Sequence, residues 1–568
     1  MDQAADDRSA AERLLERMKA RGVDYVFGNA GTDFPAIIEA FARTPKTGLD
    51  LPEPVLAAHE TVAVGMAHGY WLATGRAQCA MVHVNVGLAN SIMGLLNAAA
   101  DNVPLLMCSG RTPVTERGRL GSRSRPIHWG QEMRDQAAMV REAVKWDYEL
   151  RYPEQAALMV ERALAVAESD PAGPVYLSLP REVLAEAAPA PPPLETRQAS
   201  VRAGAPRPEA VAEAAGLIRR AAHPVIIAQR PPARGDWDAL AALADRLAIP
   251  VVEFWATRNV LSSEHPMNVG GDASAWLAKA DVVITIEAMV PWLIDAKNSG
   301  WNAKIIAIGA DPLFQRVPVR SFPIDVALAG DPALALTALC DGLTVLEARE
   351  EAAVARRREA VTRSHREYRE AARRQAERGA GSPMSAAFAS HCLSEAKDES
   401  TAVFNELGCD PSVMRFTEPN THFSAALSGG LGWALPAALG FQLADRERLV
   451  VACVGDGSYI FANPTACHLA ATAQKLPVLI VVFNNGVWQA VRRATLSMYP
   501  DGAASQSNAM PFTQLSPAPD YAALSRAHGC FGEKVEDGAA LPDAIDRALK
   551  AIREDRLPAL LDVYVSPT

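Results

Sequence analysis

The chain has 568 residues, 49% hydrophobic and 21% charged, with a formal net charge of −10. That length asks for about three or four domains, and the composition is that of a soluble protein with large cores. So modest an acidic balance argues against a basic nucleic-acid face or an attraction to anionic membranes. Eight scattered cysteines without a CxxC pair read as small core residues of a reducing compartment, not as a disulfide frame or a zinc site. The opening MDQAADDRSAAERLL lacks the basic start and apolar run of a signal peptide, and no apolar run has the length of a membrane span. The expected location is cytoplasmic.

Two shifts in composition divide the chain into blocks at 8–186, 200–345 and 383–568. One is the proline-rich AAPAPPPL at 187–194, expected to be an extended spacer. The other, at 346–383, is dense in Ala, Glu and Arg and predicts a long exposed helix. Short β-branched runs alternate with helical patterns in every block: 25–27, 80–82 and 103–106, then 224–228, 282–286 and 304–308, then 449–454, 478–483 and 560–565. Runs apolar on both faces and spaced by helices predict parallel sheets covered on both sides. The fold class is therefore α/β, with three parallel-sheet domains in series.

In the first block the strand at 25–27 runs into GNAGTDFP at 28–35, followed by AAHETVAVGMAHGY at 57–70. Glu60 begins a helix with Ala63, Val64 and Ala67 on one face, which puts its carboxylate at the helix start beside the inward face. A carboxylate facing an apolar core is costly unless paired. At a helix start it can equally be a surface charge meeting the dipole, and the local pattern leaves both open. AMVHVNVGLAN at 80–90 then sets His83 directly after a buried strand, a place where a histidine is commonly structural.

The third block carries the strongest local signal. A buried strand ends in GDGS at 455–458, a second ends in NNG at 484–486, and 26 residues separate Gly457 from Asn484. Both polar turns fall at the carboxyl ends of neighbouring strands, where open α/β sheets hold ligands. Glycines beside Asp456 admit phosphate oxygens to the backbone, with the next helix behind them. Asp456 and Asn485 offer the hard oxygens that Mg²⁺ takes.

Together these segments resemble the thiamine-diphosphate (ThDP) enzymes of the pyruvate decarboxylase, benzoylformate decarboxylase and acetolactate synthase superfamily. GDG…NN resembles the family's cofactor motif. The resemblance implies Gly455, Asp456, Gly457, Ser458 and Asn485 as cofactor-binding residues, with Asp456, Asn485 and the Val487 carbonyl on Mg²⁺. SGGLGWALPA at 428–437 resembles the segment upstream of that motif, and implies that Gly430 and Leu431 touch the cofactor, Leu431 as the wedge that bends it. The HExxA run implies Glu60 as the acid that hydrogen-bonds the cofactor's aminopyrimidine, reaching it from a neighbouring subunit. A homo-oligomer follows, at least a dimer and by expectation a tetramer.

The loop around His83 resembles that of benzoylformate decarboxylase, which implies a catalytic His83 that relays protons, with Thr32 as a substrate contact. IHWGQEM at 127–133 sits where the family has an interface loop, making His128 and Gln131 substrate candidates. Trp488 takes the place of the usual Tyr-Gly after NNG, and EAMVPWL at 287–293 offers Trp292 and no histidine. These two tryptophans are further candidates for lining the substrate pocket.

The implied activity is a ThDP- and Mg²⁺-dependent 2-oxo acid decarboxylase with carboligase capacity. Its alternatives are an acetolactate-synthase-like carboligase or a lyase of 2-hydroxy ketones or 2-hydroxyacyl thioesters. The short run after the last strand weakens, without excluding, the acetolactate synthase and acyl-CoA lyase alternatives, whose members commonly add a C-terminal tail. A non-catalytic subunit of the same fold should have lost Glu60, Asp456 or Asn485, and all three are present. Some relatives bind FAD or ADP in the central domain; here Gly270 and Gly271 lie in a loop without a GxGxxG fingerprint.

Overall fold

A computed structural model describes residues 8–190, 198–230, 234–294, 302–507 and 509–567. Residues 191–194 of the proline-rich spacer lie outside the described residues. The rest contain three sheets, of six, five and six strands. By compactness the chain forms two units. The first comprises Met1–Val201, Ala425–Lys534 and Arg547–Asp562, and the second Arg202–Ser424, Val535–Asp546 and Val563–Thr568. No described helix is long and apolar enough to cross a membrane.

The first sheet is built from β1 (Tyr25–Asn29), β2 (Glu53–Leu56), β3 (Gln78–Val82), β4 (Leu105–Arg111), β5 (Asp147–Glu149) and β6 (Val175–Pro180). Its order is β2-β1-β3-β4-β6-β5, with all pairings parallel. After β1 the chain adds β2 on one side and then returns to add β3 on the other. The carboxyl ends of β1 and β3 thus flank a switch point, the place where open sheets keep ligands.

The second sheet holds β7 (Pro224–Ala228), β8 (Val251–Val252), β9 (Val282–Ile286), β10 (Lys304–Gly309) and β11 (Val326–Ala329), in the order β11-β10-β9-β7-β8. It is also parallel. In the last sheet β12 (Ala402–Glu406) pairs with β13 (His422–Ser424) in the second unit. In the first unit β14 (Val450–Gly455) pairs in parallel with β15 (Leu479–Asn484), and β16 (Phe531–Val535) and β17 (Ala559–Tyr564) follow in the order β14-β15-β17-β16.

The α/β reading is met, with local shifts. The run expected at 103–106 is a strand only from Leu105, after Pro104, and continues to Arg111 through polar residues that are all buried in the sheet. The charged run at 346–383 is the 30-residue helix Ala348–Glu377, of which only Val361 and Ala376 are buried.

The helix Glu60–Thr74 is more deeply placed than a one-faced amphipathic helix. Every residue from Glu60 to Tyr70 is buried, and Leu72 with them. It packs against the helix Ala434–Ala444, itself buried from Ala434 to Leu443. Contact is backbone to backbone: a Cβ added at Gly69 would stand 1.8 Å from the Ala437 carbonyl oxygen. The helix that opens with Glu60 and the helix that follows Leu431 are therefore one tightly packed pair.

Candidate functional site

Glu60 sits at the head of its helix, 6% exposed. His59 caps that helix, its Nδ1 accepting the Thr61 N–H. Both Glu60 oxygens are held by side-chain amides. Asn29, the last residue of β1, donates to Oε1 at 2.9 Å, and Asn90 donates to Oε2 at 3.0 Å. The buried carboxylate thus has the partners that burial demands. Asn90, the last residue of the AMVHVNVGLAN segment that carries His83, is a Glu60 partner in the structure. Among the described residues no hydrogen bond joins Glu60 to Asp456 or Asn485.

His83 follows β3 and meets the loop after β1 across the switch point. Its Nδ1 lies 2.5 Å from Asp33 Oδ1, and its Nε2 lies 3.2 Å from Gln131 Nε2. The Asp33 carboxylate raises the His83 pKa above the ordinary imidazole value, against the opposing pull of burial, with Glu60 adding to the rise. Asp33 is 4% exposed, and its Oδ2 also accepts the Val84 N–H at 3.1 Å. Val84 has φ +28°, a costly value for a β-branched residue. Thr32 is exposed, and its carbonyl accepts from Arg181 Nη1 at 2.9 Å. It is the neighbouring Asp33 that reaches the histidine.

His128 is 2% exposed and accepts the Ser124 N–H on Nδ1 at 3.1 Å. Burial, and then the charges of Arg181, Arg125 and Arg123, lower its pKa, so it is neutral near pH 7. His128 Nε2 and Gln131 Oε1 are buried polar atoms without a hydrogen-bond partner among the described residues. Such atoms are uncommon unless something else satisfies them.

At the other cluster Gly455 ends β14 and Asp456 opens the short helix Asp456–Phe461. Asp456 is 3% exposed, and its oxygens accept the N–H groups of Gly457 and Gly486, each at 2.8 Å. Burial raises its pKa, and these backbone donors oppose the rise. Ser458 is also buried. Asn485 Oδ1 accepts the Val487 N–H at 3.0 Å. Behind it Asn484 donates to Asp562 Oδ1 at 3.0 Å, and burial pushes the Asp562 carboxyl up to about 6.

Trp488 packs against the turn at Gly457. A Cβ at Gly457 would meet its ring at 2.2 Å, and Phe461 packs edge-on to it at 5.6 Å. Leu431 is half-buried in a turn clasped by Asn97. Asn97 Oδ1 accepts from Ser428 Oγ at 2.6 Å and from the Gly430 N–H at 3.2 Å, while its Nδ2 donates to the Gly430 carbonyl at 2.9 Å. Trp292, a substrate candidate from the sequence, is 5% exposed in the apolar core of the second unit, edge-on to Phe322.

These donors suit a metal-bridged diphosphate. Among the described residues no three His, Cys, Asp or Glu side chains gather as a metal site. A cation at Asp456 would have one carboxylate, one amide oxygen and one carbonyl from the chain. An octahedral shell then still needs oxygens from a ligand, and the Gly455–Ser458 turn beside it is where phosphate can approach. Asn29, Asp33 and Asn97 carry no sequence signal strong enough to single them out, although each lies in a segment that the motifs flag.

Comparison with known proteins gives three family matches. The N-terminal TPP binding domain of thiamine pyrophosphate enzymes matches residues 8–139, the central domain 211–339 and the C-terminal TPP binding domain 407–563. The chain is 29% identical to a probable 2-ketoarginine decarboxylase of Pseudomonas aeruginosa, over 96% of this chain and 91% of that protein. It is 28% identical to the benzoylformate decarboxylase of the same organism, over 98% of each. The solved structure of benzoylformate decarboxylase from Polynucleobacter necessarius shares the fold, with a TM-score of 0.80 at 23% identity, covering 99% of both chains.

Proposed function

Because the chain belongs to the thiamine pyrophosphate enzyme family, we propose that it is a Mg²⁺-dependent 2-oxo acid decarboxylase with carboligase capacity. The observation that carries this reading is the pairing, at one switch point, of an amide-clamped Glu60 with an Asp33-bonded His83. Bound thiamine diphosphate supplies the electron sink that lets a carbon beside a carbonyl lose CO₂.

The chain's residues divide the remaining work. Asp456, Asn485 and the Val487 carbonyl hold Mg²⁺, and the Gly455–Ser458 turn receives the diphosphate. Gly430 and Leu431 support the middle of the cofactor, and Asn97 fixes that turn. Glu60, oriented by Asn29 and Asn90, hydrogen-bonds the aminopyrimidine end of the cofactor. His83 Nε2 delivers the proton that replaces CO₂ on the substrate carbon. Thr32, Gln131 and His128 are the substrate contacts of this reading, and Trp488 limits the space beside the turn. In this reading Glu60 serves the cofactor of a second copy of the chain, so the active form is at least a dimer.

The test is CO₂ release from protein supplied with ThDP and Mg²⁺. The substrates are pyruvate, branched 2-oxo acids, benzoylformate and the guanidino-bearing 2-oxo acid named by the relative. Release from one of them, with aldehyde as co-product, supports the decarboxylase; acyloin identifies carboligation. Cofactor bound with no release from any acid overturns the reading.

A further inference from the structure

Asp33 has a more specific arrangement than a buried carboxylate that happens to meet a histidine. One oxygen faces His83 Nδ1 at 2.5 Å and the other takes the Val84 N–H at 3.1 Å. The same group therefore fixes both the ring and the first turn of the helix Val84–Ala100, of which His83 is the N-cap. Two glycines let the backbone approach the pair closely. A Cβ at Gly110 would stand 1.6 Å from Asp33 Oδ2, and a Cβ at Gly31 would stand 2.1 Å from His83 Nδ1. Val84 is held at φ +28° beside this pair. Strain of this kind persists only where the surroundings over-determine it, and it concentrates at functional sites.

The hydrogen-bond inventory then fixes the proton. A buried carboxylate accepts and does not donate, so His83 Nδ1 must carry the hydrogen. Nε2 is left as the atom that gains and loses a proton. It faces the Gln131 amide at 3.2 Å, and Gln131 Oε1 is buried without a partner among the described residues. A primary amide can serve both states of Nε2. Its NH₂ donates to the bare nitrogen, and after a half-turn its oxygen accepts from the protonated one. The charged groups acting on the ring are Asp33, from the loop after β1, and Glu60, at the head of its helix, both anionic.

We propose that Asp33 is a positioning residue that locks His83 in the Nδ1–H tautomer, and that Gln131 follows the proton on Nε2. The assignment of a catalytic proton to Nε2 rests on the decarboxylase reading; the tautomer and its cause do not.

The experiment has two arms, both on the full-length protein with ThDP and Mg²⁺. In the first, long-range ¹H–¹⁵N spectra of histidine-labelled protein report the tautomer of neutral His83, assigned by its loss in His83→Gln. The Nδ1–H form is expected; the commoner Nε2–H form overturns the proposal without reference to any activity. In the second, the pH dependence of His83 carbethoxylation is followed by peptide mass spectrometry in the parent and in Asp33→Asn. Asparagine retains an acceptor for Val84 N–H but not the charge.

The half-modification pH of His83 should move to lower pH in the variant. With it, kcat at alkaline pH should fall about tenfold or more while KM changes little. An unmoved half-modification pH in the folded variant overturns the proposal. If Asp33→Asn does not fold, the first arm on the parent protein still decides. If no 2-oxo acid is turned over, the function fails while both spectroscopic and modification readouts still judge the Asp33–His83 pair.

Discussion

Replacing Glu60 by glutamine separates a folding role from a chemical one, because the two effects differ in size. Each Glu60 oxygen takes one amide donor, at 2.9 and 3.0 Å. Hydrogen bonds to a charged group contribute about 1.5–3 kcal/mol each and neutral ones about 0.5–1.5. Glutamine keeps one acceptor, and the asparagine facing its NH₂ can turn its own oxygen inward. The clamp then survives as two neutral bonds, at a cost of about 2–3 kcal/mol in total. Relief of desolvation offsets part of that, since the group is only 6% exposed.

The expected loss in Tm is a few degrees. Loss of a positioned acid–base group, by contrast, lowers turnover about 10²–10⁴-fold, which is about 3–5 kcal/mol of barrier. The variant should therefore fold and bind ThDP with Mg²⁺, but release CO₂ at least a hundredfold more slowly. Calorimetric unfolding, cofactor titration and CO₂ release measure the three terms. Turnover within about tenfold of the parent would refute the role given to Glu60.

Four further outcomes follow from the same geometry. Asp456→Ala should lose ThDP and Mg²⁺ together, read by equilibrium dialysis of both, since one carboxylate serves the cation and the turn. Gly457→Ala must displace the Trp488 ring, which a Cβ would meet at 2.2 Å; a changed Trp488 fluorescence and weaker cofactor binding are expected. Co-expressing Glu60→Gln with Asp456→Ala chains should restore about a quarter of parental activity if each site draws on two subunits, and none if it draws on one. Burial holds His468 and His422 near about 4, below about 6.5 in the unfolded chain. The unfolded chain therefore binds protons that the folded one refuses, and stability falls as pH drops from about 6.5 to about 4, by about 3 kcal/mol per histidine. Urea unfolding at pH 5 and 7 should show this slope, reduced in His468→Gln.

The parts of the site legible in the sequence are those in which chemistry and spacing are local. GDGS and NNG each end a buried apolar run, and the length between them admits one helical crossover, so the residue pattern alone puts Asp456 and Asn485 on neighbouring strands. β14 and β15 pair as that argument requires, Gly455 opposite Phe483. Glu60 is ambiguous in the sequence for a physical reason. Its helix reads as one apolar face, and the reading changes only when the helix Ala434–Ala444, more than 350 residues away, covers the other side. Trp292 shows the opposite failure: an aromatic residue in a loop-like run after β9 lies in its own unit's core.

Asp33 and Thr32 make the limit most definite. Both follow β1; the resemblance implies Thr32 as a substrate contact, and nothing in the sequence singles out Asp33. Which residue of this segment reaches His83 depends on the turn at Thr32 and Asp33, between β1 and the helix Pro35–Thr47, and on the order β2-β1-β3, neither of which can be read from residues 28–35 alone. Once that order is known, the question narrows sharply. Side chains that follow the carboxyl ends of β1 and β3 can meet across the switch point, and of these Asp33 and His83 form a complementary acid and base. The sequence therefore supplies the chemistry of each strand end, and the sheet order decides which ends become one site.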